Sequence, residues 1–272
     1  MKKVVVIGST GMLGYAVSEY YSRGNYTVTK ISRSEFDIVK DSIKKLEDIL
    51  KGNDFVINCA GVIKPMIAKT SIEDVLQVNS IFPRNLAKIS NKLGLRCYHV
   101  TTDCVYSGKS GKYTENDIFD ADDVYGMSKN GGDNTECMVL RTSIIGEEKG
   151  HSRSLLEWAR NNAKKDVNGY TNHRWNGVTT IYLAEIIETI ETKNLYQKGI
   201  FHIYSPNTLN KFELLQQISD VYGLKLKINA VEAKDRVDRN LASIKSLSVA
   251  VSIKIIHKQL LEMREFFYKK IL

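Results

Sequence analysis

A glycine-rich turn close to the N-terminus constrains the fold of this chain more than any other feature. It lies between a short apolar run at residues 3–7, typical of a strand buried on both faces, and a helical pattern at residues 12–21. Glycines at such a place allow a tight turn and let the backbone approach a pyrophosphate, which the free N–H groups at the helix start attract. The pattern predicts a dinucleotide-binding βαβ unit in which the cofactor is held by Gly8, Thr10, Gly11, Met12, Leu13 and Gly14.

Strand-like and helix-like segments alternate through the first half of the chain. The strand-like segments are at residues 3–7, 26–31, 54–58, 96–101 and 137–142. Helical patterns separate the first four of them, at residues 12–21, 43–50 and 72–93. Such alternation produces right-handed crossovers between parallel strands. We therefore expect an α/β fold, a Rossmann-type doubly wound parallel sheet with a smaller C-terminal α/β substrate-binding lobe.

After about residue 142 the pattern changes. Helical segments follow at residues 154–163, 181–192, 211–222 and 252–272, with strand-like segments at 199–204 and 225–231. The polar, aromatic stretch at residues 169–180 is predicted to be a loop. We expect residues 1–145 to bind the cofactor and carry the catalytic residues, and residues 146–272 mainly to bind substrate, with some chain crossing between the two.

Composition and charge limit the partners. The chain has 272 residues and a net charge of +8, which favours anionic ligands. Its basic residues are scattered rather than interleaved with aromatics, so nucleic acid is not expected. No apolar run approaches the ~18 residues of a membrane span, and no secretory signal is evident. The four cysteines lack metal-binding spacing, so we expect a cytoplasmic protein without a metal or membrane contact.

The segment after the second strand indicates the nucleotide. NAD-binding proteins place a carboxylate here for the ribose hydroxyls, whereas this chain has Ser32 and Arg33. A guanidinium can bind a 2′-phosphate bidentately. The sequence therefore favours NADP(H), with NAD(H) as the alternative, and Asp37 could approach the adenine.

Two further segments carry candidate catalytic groups. Tyr125 and Lys129 form a YxxxK pair, and residues four apart share one face of a helix. A neighbouring ammonium would lower the pKa of the phenol and make it a workable proton donor. Thr102 follows the predicted strand at residues 96–101, at the edge where open α/β sheets bind ligands. Its hydroxyl could donate to a substrate carbonyl.

Together these segments resemble the extended short-chain dehydrogenases, and within them the dTDP-4-dehydrorhamnose reductase family. The motifs are GSTGMLG at 8–14, NCAG at 58–61, VN at 78–79, TTDCVYSG at 101–108, YTEND at 113–117, VYGMSK at 124–129 and LRTSIIG at 140–146. The resemblance implies NADPH-dependent reduction of the keto group of a nucleotide-linked 4-keto deoxysugar, in nucleotide-sugar and surface-polysaccharide biosynthesis. Tyr125 would be the general acid, Lys129 would lower its pKa and position the ribose, and Thr102 would polarise the carbonyl.

The resemblance also implies cofactor contacts beyond the glycine turn. Cys59, Ala60 and Gly61 would line the adenosine and ribose side, and Asn79 would lie on the helix beneath the nicotinamide side. The remaining cofactor contacts are expected from Thr101, Thr142 and Ser143.

Cys104 departs from the family pattern and bears on the reaction. Related sugar-nucleotide 4,6-dehydratases carry a glutamate at this position, so the usual proton relay for dehydration is missing. In enzymes similar to GDP-L-fucose synthase, a cysteine at this position pairs with a downstream histidine, for which His151 is the candidate here. A bifunctional 3,5-epimerase/4-reductase is therefore the alternative to a pure reductase, in which Cys104 would only pack.

The substrate is expected to be a nucleotide-diphosphate sugar held largely by the C-terminal half. Arg239 resembles the late arginine that contacts the diphosphate in this family. Further candidate substrate-binding residues are Asp103, His151, Arg153, Trp175 and Asn176, with Arg174, Tyr170, Asn172 and His173 close to them in sequence. A homodimer would be usual for this fold. A non-catalytic NADP-binding regulatory subunit is a further alternative, although such a protein should lack part of the catalytic trio.

Overall fold

The computed structural model describes residues 1–150 and 152–269. The strands within these ranges are β1 Lys2–Ile7, β2 Tyr26–Ile31, β3 Phe55–Asn58, β4 Arg96–Thr102, β5 Met138–Thr142, β6 Ile144–Ile145, β7 Asp166–Tyr170, β8 His173–Trp175, β9 Val178–Thr179, β10 Gly199–His202, β11 Leu209–Asn210, β12 Lys227–Val231 and β13 Val237–Asp238.

The α-helices are α1 Met12–Arg23, α2 Ile43–Leu50, α3 Ile72–Leu76, α4 Phe82–Leu93, α5 Val124–Gly132, α6 Leu155–Asn161, α7 Thr180–Thr192, α8 Lys211–Tyr222, α9 Ser246–Val251 and α10 Ile256–Tyr268. Short 3₁₀ segments occur at Lys64–Lys69 and Asp103–Val105. A π-helical turn, Gln77–Ile81, joins α3 to α4, so the single helix predicted at residues 72–93 is continuous but changes its winding.

Six strands form one sheet in the order β10-β5-β4-β3-β1-β2, and every neighbouring pair in it is parallel. The strand order reverses between β1 and β3, because β2 lies outside β1 while β3 to β5 continue on its other side. The prediction of a doubly wound parallel sheet is confirmed. Such a reversal opens a crevice at the carboxyl ends of the strands, where ligands bind in this architecture.

The central strands are apolar on both sides because helices cover both faces of the sheet. Val4 and Val6 pack with α1 and α7 in one core cluster, whereas Val5 and Ile7 pack with α2 and α4 in another. This alternation places successive side chains of β1 in opposite layers. The result is a three-layer arrangement whose rigid middle layer carries the crevice.

The C-terminal part, which we define as residues 146–269, is not entirely separate from the large sheet. Its strand β10 returns to the large sheet and pairs with β5, as the expected chain crossing requires. Its other strands build small sheets, β11-β8-β13 and β12-β7, while β9 pairs with β6. α6, α8 and α10 pack on this side around a third core cluster.

The prediction of a loop at residues 169–180 is wrong. This stretch contains the end of β7, all of β8 and β9, and the first residue of α7. Strands of two or three residues are too short to show a period of two, and their pairing partners lie far away in sequence. For example, His173 pairs with Val237. Among the described residues, no helix is both long and apolar enough to cross a membrane.

Candidate active site

Many of the residues predicted to bind cofactor or catalyse the reaction lie at the carboxyl-end edge of the large sheet. Gly8 follows β1, Cys59 follows β3, Asp103 follows β4 and Ser143 follows β5. Because the strands are parallel and adjacent, these four chain segments lie side by side along one edge. The edge is therefore assembled from segments that are far apart in sequence.

The glycine turn is held against the loop that follows β3. Gly8 has a φ of +78°, and a Cβ at this position would lie 2.8 Å from the backbone of Ala60. A Cβ on Gly14 would lie 2.1 Å from the carbonyl oxygen of Gly8. Only glycine fits at either position, so the turn is as tight as a backbone-to-pyrophosphate contact requires.

The start of α1 is open toward the crevice. Its N-cap residue, Gly11, offers no side chain to the first N–H groups, which leaves them available to an anion. Thr10 and Gly11 are exposed, and Met12 is half-buried. The Leu13 side chain is buried in the core cluster that contains β1, so it anchors the start of the helix.

Arg33 lies at the far end of the crevice, just beyond β2. Its side chain is 78% exposed and its Nε lies 3.1 Å from an oxygen of Asp37. Ser32 and Ser34 both hydrogen-bond the Glu35 carboxylate, and these bonds lower the pKa of Glu35 to about 2. The segment after β2 thus presents the exposed guanidinium of Arg33, while the nearby Glu35 carboxylate already accepts hydrogen bonds from Ser32 and Ser34.

The loop after β3 is tied to the π-helical turn by Asn79. The buried amide of Asn79 accepts from the Val62 N–H at 2.8 Å and donates to the Val62 carbonyl at 3.0 Å and to Ser128 Oγ at 3.0 Å. A Cβ on Gly61 would approach Asn79 Oδ1 and the Lys129 ammonium, at 3.4 and 3.5 Å. Asn79 therefore positions the loop next to Lys129.

Glycines in α5 allow it to pack closely on two sides. A Cβ on Gly126 would lie 2.3 Å from the carbonyl oxygen of Cys104, and one on Gly132 would lie 2.1 Å from that of Asn79. Asp123 caps the helix by accepting from the Gly126 N–H at 2.7 Å. Gly132 therefore lets the end of α5 lie against the π-helical turn.

Thr102 ends β4 directly opposite Thr142 of β5. Its hydroxyl accepts from the Cys104 N–H at 3.1 Å and donates to Asp103 Oδ1 at 3.2 Å. Thr101 points to the other face of the sheet, as alternation requires, and Asp133 lies close to it there. Thr102, not Thr101, is thus the hydroxyl on the Tyr125 side.

Tyr125 does not have the lowered pKa that the sequence predicted. Burial raises the pKa of its phenol, the nearby Cys104 and Asp103 raise it further, and the Thr102 hydroxyl opposes the rise. The expectation failed because the phenol is desolvated by burial, and desolvation disfavours the phenolate. The phenol is therefore protonated at neutral pH, which a proton donor requires.

Lys129 is almost completely buried, at 5% exposure, and donates to the Val100 carbonyl at 3.3 Å. Burial lowers the pKa of its ammonium to about 8, while the Asp133 carboxylate and the Cys59 thiol oppose this shift. Asp133 is itself paired with Arg141 at 2.6 Å. The charge of Lys129 is consequently poised near neutral pH.

Cys104 and Asp103 lie on the turn that follows Thr102. Burial and the Asp103 carboxyl raise the pKa of the Cys104 thiol to about 12, so it is a thiol rather than a thiolate near pH 7. Burial also raises the pKa of Asp103, while the Arg239 guanidinium and the Lys211 ammonium oppose the rise. His151, the predicted partner of Cys104, lies outside the described residues.

Trp175 and Asn176 hold the C-terminal part to the sheet edge. Trp175 is 7% exposed and donates its indole N–H to Ser143 Oγ at 2.8 Å. The Asn176 amide donates to the Leu241 carbonyl at 2.7 Å and accepts from the Leu241 N–H at 2.9 Å. The polar groups of both side chains are therefore engaged within the chain.

The candidate arginines differ in position. Arg239 donates from Nε to the Tyr106 carbonyl at 2.8 Å, and its charge acts on Asp103 and Cys104. Arg153 and Arg174 are exposed and have no side-chain contact with the catalytic trio among the described residues. The rings of Tyr170 and His173 pack against each other in a tilted arrangement. The side-chain amide of Asn172 donates to the Ala233 carbonyl. Among the described residues, Arg239 is thus an arginine whose charge acts on the turn that follows Thr102.

Sequence reasoning missed Lys211 and Asp133. Lys211 begins α8 and lies near Asp103 and Cys104, while Asp133 lies near Lys129. Asp133 is the C-cap residue that ends α5, four residues after Lys129, so its spacing from the YxxxK pair could have found it. Lys211 carries no such signal, because only tertiary packing brings it to the site. Among residues 1–150 and 152–269, no group of His, Cys, Asp and Glu is arranged to hold a metal.

The chain is similar to known proteins over most of its length. The model of the RmlD substrate binding domain matches residues 1–265. The spore coat polysaccharide biosynthesis protein SpsK of Bacillus subtilis is 22% identical over 244 residues, which cover 86% of this chain and 84% of that protein. The methionine adenosyltransferase 2 subunit beta of Rattus norvegicus is 23% identical over 246 residues, which cover 82% of this chain and 73% of that protein.

The fold is also found among solved structures. The dTDP-4-dehydrorhamnose reductase of Bacillus anthracis, solved in complex with NADP, has a TM-score of 0.80 to this chain at 18% identity. The likeness covers 97% of this chain and 98% of that one. It extends to the small sheets of the C-terminal part as well as the large sheet.

Proposed function

This chain belongs to the RmlD substrate binding domain family, and on that basis we propose that it is an NADPH-dependent reductase of a nucleotide-linked 4-keto sugar. The observation that supports this most is the meeting of Thr102, Tyr125 and Lys129 at the carboxyl ends of β4 and β5. A hydroxyl, a protonated phenol and an ammonium in one crevice are the groups that ketone reduction needs.

The crevice fits a dinucleotide. Gly8 and Gly14 leave a cradle that any Cβ would fill, and the uncapped start of α1 offers N–H groups to a pyrophosphate. Gly61 and Lys129 border the neighbouring part of the crevice, where we assign the nicotinamide ribose. When bound, NADPH would supply the hydride.

Each member of the trio then has one task. Tyr125 donates its phenolic proton to the carbonyl oxygen as negative charge develops there, and its raised pKa keeps that proton in place until it is needed. Thr102 turns its hydroxyl proton from Asp103 to the same oxygen while it still accepts from the Cys104 N–H. Lys129 holds a positive charge beneath the site and would bond the ribose hydroxyls.

NADP(H) is the proposed cofactor rather than NAD(H). The exposed guanidinium of Arg33 stands where a 2′-phosphate would lie, and the nearby carboxylate of Glu35 is already bonded by Ser32 and Ser34. Pairing of Arg33 with Asp37 keeps the guanidinium close to the end of β2. The solved dTDP-4-dehydrorhamnose reductase with NADP supports the same choice.

NADPH oxidation with a panel of dTDP-, UDP-, GDP- and CDP-linked 4-keto sugars tests the proposal. We expect turnover with at least one of them, and Tyr125→Phe should abolish most of it. If the protein binds NADPH tightly but reduces none, the non-catalytic NADP-binding subunit replaces the enzyme as the explanation.

The same reaction in D₂O separates a reductase from an epimerase/reductase. A pure reductase leaves the carbons beside the ketone free of deuterium, and Cys104→Ser then changes the rate by less than about threefold. The raised pKa of Cys104 supports this outcome, because a thiol is a poor base. Deuterium at those carbons that disappears in Cys104→Ser would establish the epimerase instead.

A homodimer is proposed through exposed apolar side chains on α3, on the π-helical turn that follows it and on α5. Ile72, Leu76, Ile81 and Met127 are 49%, 42%, 46% and 60% exposed, respectively. Exposed apolar clusters of this kind mark association sites. Light scattering should show a dimer that Met127→Lys converts to monomer, whereas Ile253→Lys, at a separate exposed position, should leave it intact. A monomeric wild-type protein would contradict this assignment.

A further inference from the structure

Lys211 is placed beside the candidate active site by a strand pair and a helix start. α8 begins at this residue after a capping box formed by Asn210 and Glu213. β11, which ends at Asn210, pairs antiparallel with β8 so that Leu209 lies opposite Trp175. The Lys211 ammonium consequently lies 5.5 Å from the centre of the Trp175 ring. Its position is set by regular structure rather than by an exposed loop.

Trp175 is a rigid support for this ammonium. Its ring is buried in the core cluster that also contains the apolar face of α8. Its indole N–H is held by Ser143, the residue that follows β5 and Thr142. An aromatic face attracts an ammonium. Lys211 is therefore held over a ring that is fixed directly to the catalytic edge of the sheet.

Lys211 has no anionic partner within 4.0 Å in the part of the chain that the structure describes, although it is half-buried. A buried charge without a partner is costly. The ionisable groups that act on its charge are Asp103 and Cys104, and burial lowers its pKa. The Lys211 ammonium therefore lies near the turn after Thr102, but it forms no ion pair with the Asp103 carboxyl of that turn.

Arg239 reaches the same turn from another segment. Its Nε is bonded to the Tyr106 carbonyl, and no carboxylate among the described residues lies within ion-pair distance of its guanidinium. Its charge also acts on Asp103 and Cys104. Two cations from the C-terminal part, at the start of α8 and after β13, therefore flank one short turn of the catalytic edge.

We propose that Lys211 is a substrate-anchoring residue that binds the diphosphate of the nucleotide sugar jointly with Arg239. This assignment rests on the proposed function and deepens it. A diphosphate carries at least two negative charges, which two cations can bind through charge-assisted hydrogen bonds. The Asp103 carboxyl would repel the diphosphate from the Thr102 side. The uncharged sugar would then be the part that faces Thr102 and Tyr125.

Anchoring of this kind has a kinetic signature. The diphosphate takes no part in the hydride or proton transfer, so Lys211 would bind ground state and transition state alike. Loss of the ammonium should raise KM for the keto sugar by about 10- to 100-fold, the range for one charge-assisted hydrogen bond, and change kcat by less than about threefold.

Calorimetry on the intact chain saturated with NADP⁺ tests the assignment directly. The titrants are dTDP, UDP, GDP, CDP and inorganic pyrophosphate. Lys211→Gln should weaken the tightest of these about 10- to 100-fold. In the cofactor-free protein, its Kd for NADPH should stay within about twofold of wild type. Lys211→Arg, which keeps the charge, should recover affinity to within about fivefold of wild type.

Lys258→Gln is the matched control, because it removes the same charge from an exposed position on α10. It should leave every affinity unchanged. Melting curves report whether each variant is folded, and Lys211→Met offers a second neutral side chain that keeps the contact with Trp175. Should Lys211→Gln also be unstable, Lys211→Met carries the same expectation.

The outcomes separate this assignment from the proposed function. If the wild type reduces a keto sugar and both neutral variants keep its KM and the diphosphate Kd within twofold, the role of Lys211 is refuted while the function stands. If the wild type binds a nucleoside diphosphate through Lys211 but reduces no keto sugar, the anchoring stands and the function fails. A wild type that binds none of the titrants overturns the anchoring.

Discussion

The catalytic edge and the segment at residues 170–176 both carry dense sets of polar side chains, yet they use them differently. At the edge, Lys129 is buried and Tyr125 is half-buried, and among the described residues the Lys129 ammonium bonds one carbonyl. In residues 170–176, Asn176 is fully bonded to Leu241 and Trp175 is bonded to Ser143. A group that is already satisfied stabilises the fold, whereas one kept short of partners in a crevice is available to a ligand.

This contrast shows why residue type alone did not identify the substrate side. Trp, Asn and His are suited to binding a base or sugar, and they are equally suited to joining two segments. The structure shows the second use for Asn176, whose amide bonds the backbone of Leu241 in place of a regular strand pair. Lys211, a common residue type, has no anionic partner within 4.0 Å in residues 1–150 and 152–269.

The largest expected effect falls on the catalytic edge. Tyr125→Phe removes the proton donor and keeps the ring, so it should lower kcat/KM for a keto sugar by about 10²- to 10⁴-fold. Its melting temperature and NADPH affinity should stay near those of wild type, since the phenol has few partners. Steady-state kinetics and a thermal melt measure both. Full activity of Tyr125→Phe would show that the polar groups at the catalytic edge do not have the catalytic role that distinguishes them from residues 170–176.

The opposite pattern is expected at Asn176. Asn176→Ala leaves both backbone groups of Leu241 unpaired in a buried place, so the free energy of unfolding should fall by about 2–5 kcal/mol. Urea unfolding measures this. Asn229→Ala, at an exposed position on β12, should change it by less than about 0.5 kcal/mol. If Asn176→Ala is as stable as wild type but raises KM, Asn176 binds substrate after all.

A smaller effect is expected at the exposed end of the crevice. Arg33→Ala should weaken NADPH about tenfold or more and leave NADH nearly unchanged, because only NADPH has the 2′-phosphate. Lys40→Ala, which removes a charge from an exposed position nearby, serves as the control in the same fluorescence titration. Equal losses for both cofactors would show that Arg33 does not select between them.

The smallest effect concerns the charge of Lys129. Its pKa of about 8 is below the ordinary value, so the folded protein loses this proton as pH rises through 8. Cys59, with its raised pKa, and His99, with its lowered pKa, stay neutral in this window. The Kd of NADPH should therefore be flat from pH 6.5 to 7.5 and rise by up to about tenfold by pH 9.

A titration of NADPH affinity against pH checks this expectation. Lys129→Arg keeps its charge throughout the range, so its affinity, whatever its absolute value, should not follow the same rise. A flat wild-type profile to pH 9 would show that the ammonium of Lys129 does not support cofactor binding.

Much of the fold and of the catalytic edge could be predicted from local patterns. Three elements have the predicted bounds: the strand Tyr26–Ile31 and the helices Ile43–Leu50 and Lys211–Tyr222. Their apolar periodicity and their capping residues depend only on consecutive residues. The lowered pKa expected for Tyr125 was wrong, since burial of the phenol, which only the packed fold determines, raises the pKa. The small strands at residues 173–175 and 178–179 were missed because they exist only through distant partners.

The amino-acid sequence by itself determined the parallel sheet, the glycine turn and the order of Thr102, Tyr125 and Lys129, since each depends on residue spacing within one element or turn. Only the tertiary structure determines which polar groups form hydrogen bonds within the fold and which remain available to a ligand. That decision depends on burial and on partners from other segments, as between Trp175 and Lys211, and no local pattern encodes either. The glycine turn locates the crevice, and packing across the chain determines what it can hold.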